Sequence, residues 1–469
     1  MKSSAAFIGD DVNAAQIHRQ HAVVLGGSMT GLMAARVLSD HFGRVTLVER
    51  DRFPAGTKDR QGVPQGRHIH VLLVRGEQII SRFFPGLTSD LIQAGAVRVD
   101  LPGDVLWFHQ GGYKTRFQSG ITVLYLSRPL LESYLRRRVL ALKNLTCLEQ
   151  YDAQSLVTNA DRTCITGVKI RRRAAGASEE MLEADLVIDA TGRGSRSPKW
   201  LEALGYSKPE ESAVKVSVGY TTRLYRQNPE LLPNAKGILI MPVPPHGRRA
   251  GGLFPIEGGR WIVSLAGGLN DYPPADEQGF LEYAKSLASR DVYNVISQAE
   301  PLTDFAIYRI PSNLRRHYER MTRFPKGYLV MGDAICSFNP VYAQGISVGA
   351  LEAEALDGCL REASVRQTMN DLAHDFFRRA AKVIDTAWRM AAGEDFRFPG
   401  VEGVKPAGTD LINWYVSQVH KTTLRDCETT RAFIQVMTMT YTPKTLLSPG
   451  IVLRVVRNCL VRRQPKIAL

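Results

Sequence analysis

The segment Ala22-Val-Val-Leu-Gly-Gly-Ser-Met-Thr-Gly31 decides the fold, because it joins a short apolar run to a cluster of glycines. The apolar run predicts a buried strand and the glycines predict a tight turn. The helical spacing from Leu32 to Leu38 predicts a helix, and the β-branched run Val45 to Val48 predicts another strand. This order of strand, turn, helix and strand is the context in which a glycine-rich dinucleotide fingerprint is meaningful.

Individual residues of this segment have defined roles in such a fingerprint. Gly26 permits the tight turn, and Gly31 allows the helix to pack closely. Glu49 follows at about the spacing of 20 residues that is typical of a carboxylate that binds an adenosine ribose. Ser28 departs from the pattern, since a second glycine there usually lets the backbone approach a pyrophosphate. The alternative is a plain strand-to-helix turn. The predicted dinucleotide-binding residues here are Gly26, Gly27, Ser28, Gly31, Glu49 and Arg50.

Composition and charge narrow the class of protein. The chain has 469 residues, of which 44% are apolar and 23% charged, so it is globular and long enough for two or three domains or one large interleaved enzyme. The net charge of +14 favours an anionic partner: a phosphate-bearing cofactor, an acidic substrate, nucleic acid or an anionic membrane. No finger, homeodomain or RNA-binding signature accompanies the basic clusters, so nucleic acid is not predicted as a partner.

The cysteines and the apolar segments bear on location. The six cysteines include no C-x-x-C pair, which predicts neither a zinc site nor a disulfide framework and favours a reducing cytoplasm. The first twenty residues lack the apolar core of a signal peptide, and no run of about 18 apolar residues occurs. A cytoplasmic protein without a membrane span is therefore predicted.

Further along the chain, the periodicity changes twice. Residues 155–170 predict an antiparallel ribbon whose polar tip precedes a buried strand at 186–188, and residues 214–268 alternate in the manner of a mixed or antiparallel sheet. A buried strand at 328–331 and a helix at about 346–362 return to the first pattern. Helical stretches separated by polar breaks follow from about residue 376. The predicted fold class is thus mixed α/β, with an inserted ribbon, a separate sheet and a helical extension.

Two later strand ends carry polar residues. In ADLVIDATGRGSR, residues 184–196, the strand ends in Asp189 and is followed by Thr191 and Gly192. In GYLVMGDAICSFNPVYAQGIS, residues 327–347, Asp333 can accept hydrogen bonds from a ribityl hydroxyl. The helix N-terminus near Gly345 and Ile346 can place positive partial charge against a reduced flavin. Taken singly, each motif also fits an ordinary strand-to-helix turn.

Together and in this order, the three motifs resemble the FAD domain of para-hydroxybenzoate hydroxylase-like flavoproteins. That group includes aromatic hydroxylases, squalene-epoxidase-like enzymes, flavin-dependent halogenases and geranylgeranyl reductases. The resemblance spans about residues 22–362 and implies that Glu49 holds the adenosine ribose, Asp333 the ribityl chain, and the loop from Pro340 to Ile346 the isoalloxazine. Arg128, in LSRPLLESYLRRRV, matches the family arginine that opens a helix beside FAD; an exposed arginine at a helix start is the alternative.

The resemblance also implies a domain organisation. A Rossmann-like FAD-binding domain is predicted at 20–95, 125–205 and 305–375, a mixed-sheet substrate domain at 96–124 and 206–304, and a C-terminal helical extension at 376–469.

A finer resemblance rests on DRQGVPQGRHIHVLL, FNPVYAQGIS and DATGRGSRSPKWLEALGY, which are similar to bacterial FAD epoxidases of polyene chains. It implies that Arg60, Arg67, His68 and His70 lie near the flavin or pyrophosphate, although His68 or His70 could instead be hydrogen-bonded in the core. Ala343 stands where that family usually has glycine, which puts the substrate range in doubt.

The implied chemistry is flavin monooxygenation, in which the protein mainly positions the substrate and keeps water out. The predicted function is epoxidation of a lipophilic polyketide or terpenoid alkene with O2 and NADPH or NADH, directly or through a flavin reductase. Tyr342, Arg67 and His68 are the candidate active-site residues, and Tyr342 has packing as its alternative. An aromatic hydroxylase, a prenyl-chain reductase and a non-catalytic flavin- or lipid-binding protein remain open. A halogenase is disfavoured because the Trp-x-Trp-x-Ile-Pro motif is missing.

The last segment, Gly450 to Arg463, has amphipathic character. Arg454, Arg457 and Arg462 fall near one helical face and apolar residues fill much of the remainder. Peripheral contact with an anionic membrane is one interpretation. The favoured one is a helix that packs on the enzyme body with a solvated arginine face.

Overall fold

The computed structural model describes residues 19–461. Residues 1–18, most of the segment in which no signal peptide is predicted, lie outside the described range. Arg462 of the predicted arginine face also lies outside it. The strands are, in chain order, His21–Leu25 (β1), Arg44–Glu49 (β2), Val71–Leu72 (β3), Val97–Asp100 (β4), Val105–His109 (β5), Gly112–Tyr113 (β6), Thr122–Tyr125 (β7), Leu145–Glu149 (β8), Tyr151–Thr158 (β9), Ile165–Arg172 (β10), Glu179–Glu183 (β11), Leu186–Asp189 (β12), Glu211–Arg226 (β13), Gly237–Ile240 (β14), Arg249–Ile256 (β15), Arg260–Gly267 (β16), Ala306–Arg316 (β17), Tyr328–Val330 (β18), Cys336–Ser337 (β19) and Glu402–Gly403 (β20). The helices are Met29–Ser39 (α1), Val74–Phe83 (α2), Leu87–Gln93 (α3), Leu101–Asp104 (α4), Arg128–Leu140 (α5), Ser197–Ala203 (α6), Glu277–Lys285 (α7), Asp291–Ile296 (α8), Gly345–Arg366 (α9), Leu372–Asp395 (α10), Thr409–Thr422 (α11), Cys427–Met437 (α12) and Pro449–Val461 (α13).

A parallel sheet in the order β18-β12-β1-β2-β8 carries the Rossmann-like fold. The predicted unit of strand, turn, helix and strand is confirmed as β1, α1 and β2, and the residues of β1 are buried as a parallel strand requires. Helix α1 packs against α5 and α9, so sequence far from the first strand closes this part of the molecule. The carboxyl ends of β1, β12 and β18 consequently meet at one edge of the sheet.

The predicted ribbon is confirmed as the antiparallel sheet β11-β10-β9, inserted between β8 and β12. The alternating region forms most of a larger mixed sheet in the order β19-β17-β13-β16-β15-β14-β5-β6, with β20 paired to β13. The predicted hairpin turn at 257–260 joins β15 to β16. Residues 71–125 also form a small sheet, β3-β7-β4. Several of its buried side chains belong to the same apolar core as those of the large sheet. The domain division remains a prediction; its boundary at 305 precedes β17, which pairs with the large sheet.

The C-terminal helices close the space above the large sheet. One apolar core joins strand residues such as Trp107 and Phe254 to Val419 of α11, Phe433 of α12 and Val455 of α13. In α13, Ile451 and Val455 are buried, as the favoured interpretation of a packed helix expects, while the exposed residues include Arg454 and Arg457 and also the apolar Leu453 and Leu460. Among the described residues, no helix combines the length and apolar character that crossing a bilayer demands.

Candidate active site

The glycine-rich turn is built for close approach of backbones. Gly26 has a φ of +98°, and a Cβ placed on it would lie 2.6 Å from the carbonyl oxygen of Ala190. A Cβ on Gly31 would lie 1.8 Å from the carbonyl oxygen of Gly26. Only glycine fits either position, because backbone atoms cannot move aside as a flexible side chain does. The turn is thereby held against the end of β12, at the edge where the strand ends meet.

Helix α1 begins in this turn without a side-chain cap. Its N-cap residue, Ser28, makes no capping hydrogen bond; its hydroxyl instead accepts one from Arg128 at 2.9 Å. The first amides of α1 are therefore free to bind a phosphate group. Arg128 itself is buried, so the alternative of an exposed arginine at a helix start is wrong.

Four buried charges lie beneath the turn. Glu49 accepts a hydrogen bond from the Gly27 amide at 2.7 Å, and its Oε2 lies 3.1 Å from Arg60. Arg60 also lies 2.8 Å from Glu132 Oε1, and Glu132 Oε2 accepts from Arg128 at 3.2 Å. Two arginines thus balance two carboxylates, which is how buried charges are tolerated. Sequence reasoning missed Glu132; its spacing of i,i+4 from Arg128 in α5 was the available signal.

The other predicted residues of this region lie further out. Arg50 is exposed, with one guanidinium nitrogen 3.3 Å from the Gly62 carbonyl oxygen. Arg67 is 58% exposed in its side chain and pairs with Asp59 at 3.4 Å, away from the cavity wall. Its role in the active site stays a prediction that the geometry does not support.

A cavity of about 390 Å³ opens where the strand ends meet. On the side expected to hold the nucleotide, the space beside two glycines is empty: a methyl group placed on Gly192 or Gly345 would meet no atom within 4 Å. Helix α9 starts at Gly345, and its N-cap Gln344 makes no side-chain capping bond. Several predicted cofactor-binding residues line the cavity together: Ser28, Arg128, Thr191, Gly192, Asp333, Pro340, Gly345 and Ile346.

The donor set of this side fits FAD. Asp333 faces the cavity; burial raises its pKa, while the nearby Arg128 and Arg193 lower it. Two helix N-termini with free amides, those of α1 and α9, suit the pyrophosphate and the electron-rich end of a flavin. A carboxylate that can accept from a ribityl hydroxyl lies between them. Bound there, FAD would be held by Ser28, Arg128, Asp333 and the start of α9.

Glu352 of α9 is a buried carboxyl behind this wall that sequence reasoning did not single out. It accepts a hydrogen bond from the Gly332 amide at 2.5 Å. Burial, together with the charge of Asp333, raises its pKa to about 8, so Glu352 is mostly protonated at pH 7. The neighbouring Asp333 carboxylate is therefore not repelled by a second full negative charge on Glu352.

A large part of the remaining cavity wall is apolar. Tyr125 and Phe254 stack with ring centroids 4.3 Å apart, and Trp107, Met241 and Met437 are further buried residues on the wall. These side chains come from β5, β7, β15, the residue after β14, and α12. A lipophilic molecule would find a dry surface here.

The two predicted histidines lie on the wall. His68 Nδ1 is 2.7 Å from the hydroxyl of Thr222, and burial, with a smaller effect of Arg67, lowers the pKa of His68 to about 4. Nδ1 of His70 is 3.0 Å from the backbone carbonyl oxygen of His68, and burial lowers its pKa to about 3. Both are therefore neutral at pH 7. Each is hydrogen-bonded, as the alternative held, and each also lines the cavity.

Tyr342 lies on the same wall beside a pair of acids. It is buried, and burial raises its pKa well above the usual range, so it stays protonated. Glu394 and Asp395, at the end of α10, line the cavity near it and were missed from the sequence, where they look like the polar face of a long helix. Ala343 has a φ of +54°, a left-handed conformation that favours glycine, the residue that the family resemblance leads one to expect there.

Comparison with known proteins agrees with this geometry. Residues 22–197 match the family model described as FAD dependent oxidoreductase. The chain is 33% identical over 388 residues to Protein Rv3254 of Mycobacterium tuberculosis, covering 81% of each protein. In fold it is similar to p-nitrophenol 4-monooxygenase PnpA of Pseudomonas putida, with a TM-score of 0.61 and 17% identity over 88% of this chain and 96% of that one. The flavin-dependent brominase Bmp2 gives a TM-score of 0.65 and 12% identity, covering 95% of this chain and 100% of that one.

Proposed function

The chain belongs to the FAD-dependent oxidoreductase family, and we propose that it is a monooxygenase that transfers one oxygen atom from O2 to an alkene of a lipophilic polyketide or terpenoid. The observation that carries the proposal is the continuity of one cavity from the predicted FAD site to a wall of buried aromatic and aliphatic side chains. Reduced FAD supplies the activation of dioxygen, and NADPH or NADH supplies the electrons, directly or through a flavin reductase.

The residues of this chain keep water out of the cavity and position the substrate. Buried apolar side chains around Trp107 and Phe254 exclude water from the reacting groups. His68 and His70, with pKa values of about 4 and 3, add no cationic proton donor to the wall at neutral pH. Oxygen transfer to an alkene needs no general base. Epoxidation therefore requires neither histidine as a proton-transfer group.

Aromatic hydroxylation is the second candidate, favoured by polar residues that line the cavity around Tyr342. Tyr342 and Glu394 both line it, and a carboxylate near a bound phenol could accept its proton. The products separate the candidates, because an epoxide forms from an alkene and a new phenol from an aromatic ring.

The purified protein is expected to show the two visible absorbance bands of bound FAD. Anaerobic NADPH or NADH should bleach them, and readmitted air should restore them. A polyene substrate should then gain one oxygen atom by mass. Bleaching that requires an added flavin reductase would assign the electron supply to a partner. A gain of two hydrogens would instead indicate a prenyl-chain reductase, and bound FAD that never becomes reduced would indicate a non-catalytic binding protein.

We also propose that the C-terminal helices rest on an anionic membrane from which a lipophilic substrate is collected. Leu453, Val456 and Leu460 are exposed on one face of α13, and Trp414 is exposed on α11, whose Gln418 lies 3.6 Å from Cys459 of α13. Because α11 and α13 pack together, these exposed apolar residues belong to the surface of one pair of helices. Its charge complements anionic lipid: among the described residues, Lys444 and Arg457 lie nearby without ion-pair partners.

Vesicle sedimentation tests this contact on the FAD-loaded protein. Binding is expected to phosphatidylcholine vesicles that contain phosphatidylserine, and to fall with salt. The pair Leu453→Ser and Val456→Ser should weaken it about tenfold, whereas Val365→Ser, at an exposed position of α9, should leave it unchanged. A dimer in solution that binds no vesicles would show that a second copy covers this surface instead.

A further inference from the structure

We propose that the end of the cavity formed by Glu394, Tyr342 and His109 is a binding subsite for a hydroxyl group, and that the substrate is a lipophilic alcohol or phenol. This inference rests on the proposed function, since it names the substrate class of the same cavity. It assigns a ligand group to the polar part of a wall that also carries a large apolar part.

The carboxylate of Glu394 is presented to the cavity. Its side chain keeps 19% of its surface accessible, although it lies at the end of α10 inside the molecule. Because Glu394 lines the cavity, the accessible part faces the space that a substrate would occupy. Burial raises its pKa, and Arg397, Tyr342 and Lys114 lower it.

The charge of Glu394 is already balanced. Arg397 donates to both carboxylate oxygens, at 2.8 and 2.7 Å, and is itself held by the hydroxyl of Ser417 at 2.6 Å. Arg397 is only 8% exposed in its side chain. A cationic ligand is therefore not needed for neutrality, and an anionic ligand would be repelled by the carboxylate. The lone pairs that Arg397 leaves free can still accept from a neutral donor.

The neighbouring groups also suit a neutral ligand. His109 lines the cavity, and burial, with the nearby Lys114 and Arg397, keeps its pKa well below 6.5. His420 packs against it with ring centroids 4.3 Å apart and is likewise neutral. A hydroxyl group both donates and accepts, so it can donate to Glu394 while it accepts from an imidazole or phenol. An aliphatic amine would be charged at pH 7, and a hydrocarbon would offer no donor to the lone pairs that Arg397 leaves free.

The source of these groups gives the C-terminal extension a role. Glu394 lies at the end of α10 and Arg397 just beyond it, and Ser417 and His420 belong to α11. His109, in contrast, belongs to β5 of the large sheet. The extension thus supplies the group that selects the substrate, while the sheet supplies most of the apolar wall.

Matched pairs of small molecules test the subsite in the FAD-loaded protein. Farnesol and β-farnesene share a polyene chain and differ in the hydroxyl, and 1-naphthol and naphthalene form the corresponding aromatic pair. Dissociation constants from tryptophan fluorescence should favour at least one hydroxyl compound over its hydrocarbon by about tenfold, the range for a hydrogen bond to a charged group. Tighter binding of farnesol than of β-farnesene would indicate an aliphatic alcohol as the substrate class. Tighter binding of 1-naphthol than of naphthalene would indicate a phenol.

Glu394→Gln should reduce this preference to about twofold, because the amide keeps the shape and loses the charge. Glu210→Gln, an exposed acid paired with Arg320, serves as the matched control and should keep the full preference. Retained FAD shows that each variant is folded. Equal affinity for alcohol and hydrocarbon in the unaltered protein, or an undiminished preference in Glu394→Gln, would overturn the subsite. A failed oxygenation assay with the preference intact would overturn only the proposed function.

Discussion

Gly31→Ala is expected to abolish FAD binding and to lower the free energy of unfolding by about 3 kcal/mol. The added Cβ would lie 1.8 Å from the carbonyl oxygen of Gly26. Gly26 cannot move aside, because the backbone of Ala190 already occupies the space next to its own Cα. Relief requires α1 to move away from the turn, and this movement displaces the amides that we expect to bind the pyrophosphate. Visible absorbance of the purified variant and urea unfolding measure the two effects.

Gly450→Ala provides the control for this substitution. A Cβ at Gly450 meets no atom within 4 Å, and the residue lies in the exposed first turn of α13. Its stability should change by no more than about 0.5 kcal/mol and its FAD content should not change. A Gly31→Ala protein that keeps its flavin and its stability would show that the turn is looser than its backbone contacts indicate.

The sequence was sufficient to predict the Rossmann-like part of the fold, and the reason is physical. Apolar runs with glycines between them specify strands and tight turns locally. The family resemblance brought the motifs of Ser28, Thr191 and Asp333 together, and the physical reason is that the carboxyl ends of parallel strands meet at one edge. All three line one cavity.

The buried acids could not be predicted in the same way. Glu132, Glu352 and Glu394 lie on helices whose sequences show charged residues at many positions, where a charge usually marks a solvated face. Each of them is buried by an element that is distant in the sequence. Arg60 pairs with Glu132, and the Gly332 amide donates to Glu352. Glu394 pairs with Arg397, which Ser417 of α11 holds in place. Arg67 shows the converse, since the family resemblance suggested a site residue and the side chain pairs with Asp59 instead.

Arg60→Met is expected to cost about 3 to 5 kcal/mol of folding stability and to weaken FAD binding strongly. Arg60 is the cation that lies between Glu49, at 3.1 Å, and Glu132, at 2.8 Å, and its side chain is only 4% exposed. Methionine fills much of the volume but leaves two buried carboxylates to share Arg128. Both acids would then be drawn out of position, and Glu49 is the residue expected to hold the adenosine ribose.

Two further variants identify charge balance as the cause. Arg226→Met breaks an exposed pair with Glu300 at 2.6 Å and should cost no more than about 1 kcal/mol. Arg60→Met combined with Glu132→Gln removes one charge of each sign, so its loss of stability should be clearly smaller than that of Arg60→Met alone. Urea unfolding of the four proteins gives the comparison. Equal losses in the single and double variants would mean that lost packing, rather than an uncompensated carboxylate, destabilises the protein, and the ionic role assigned to Arg60 would be wrong.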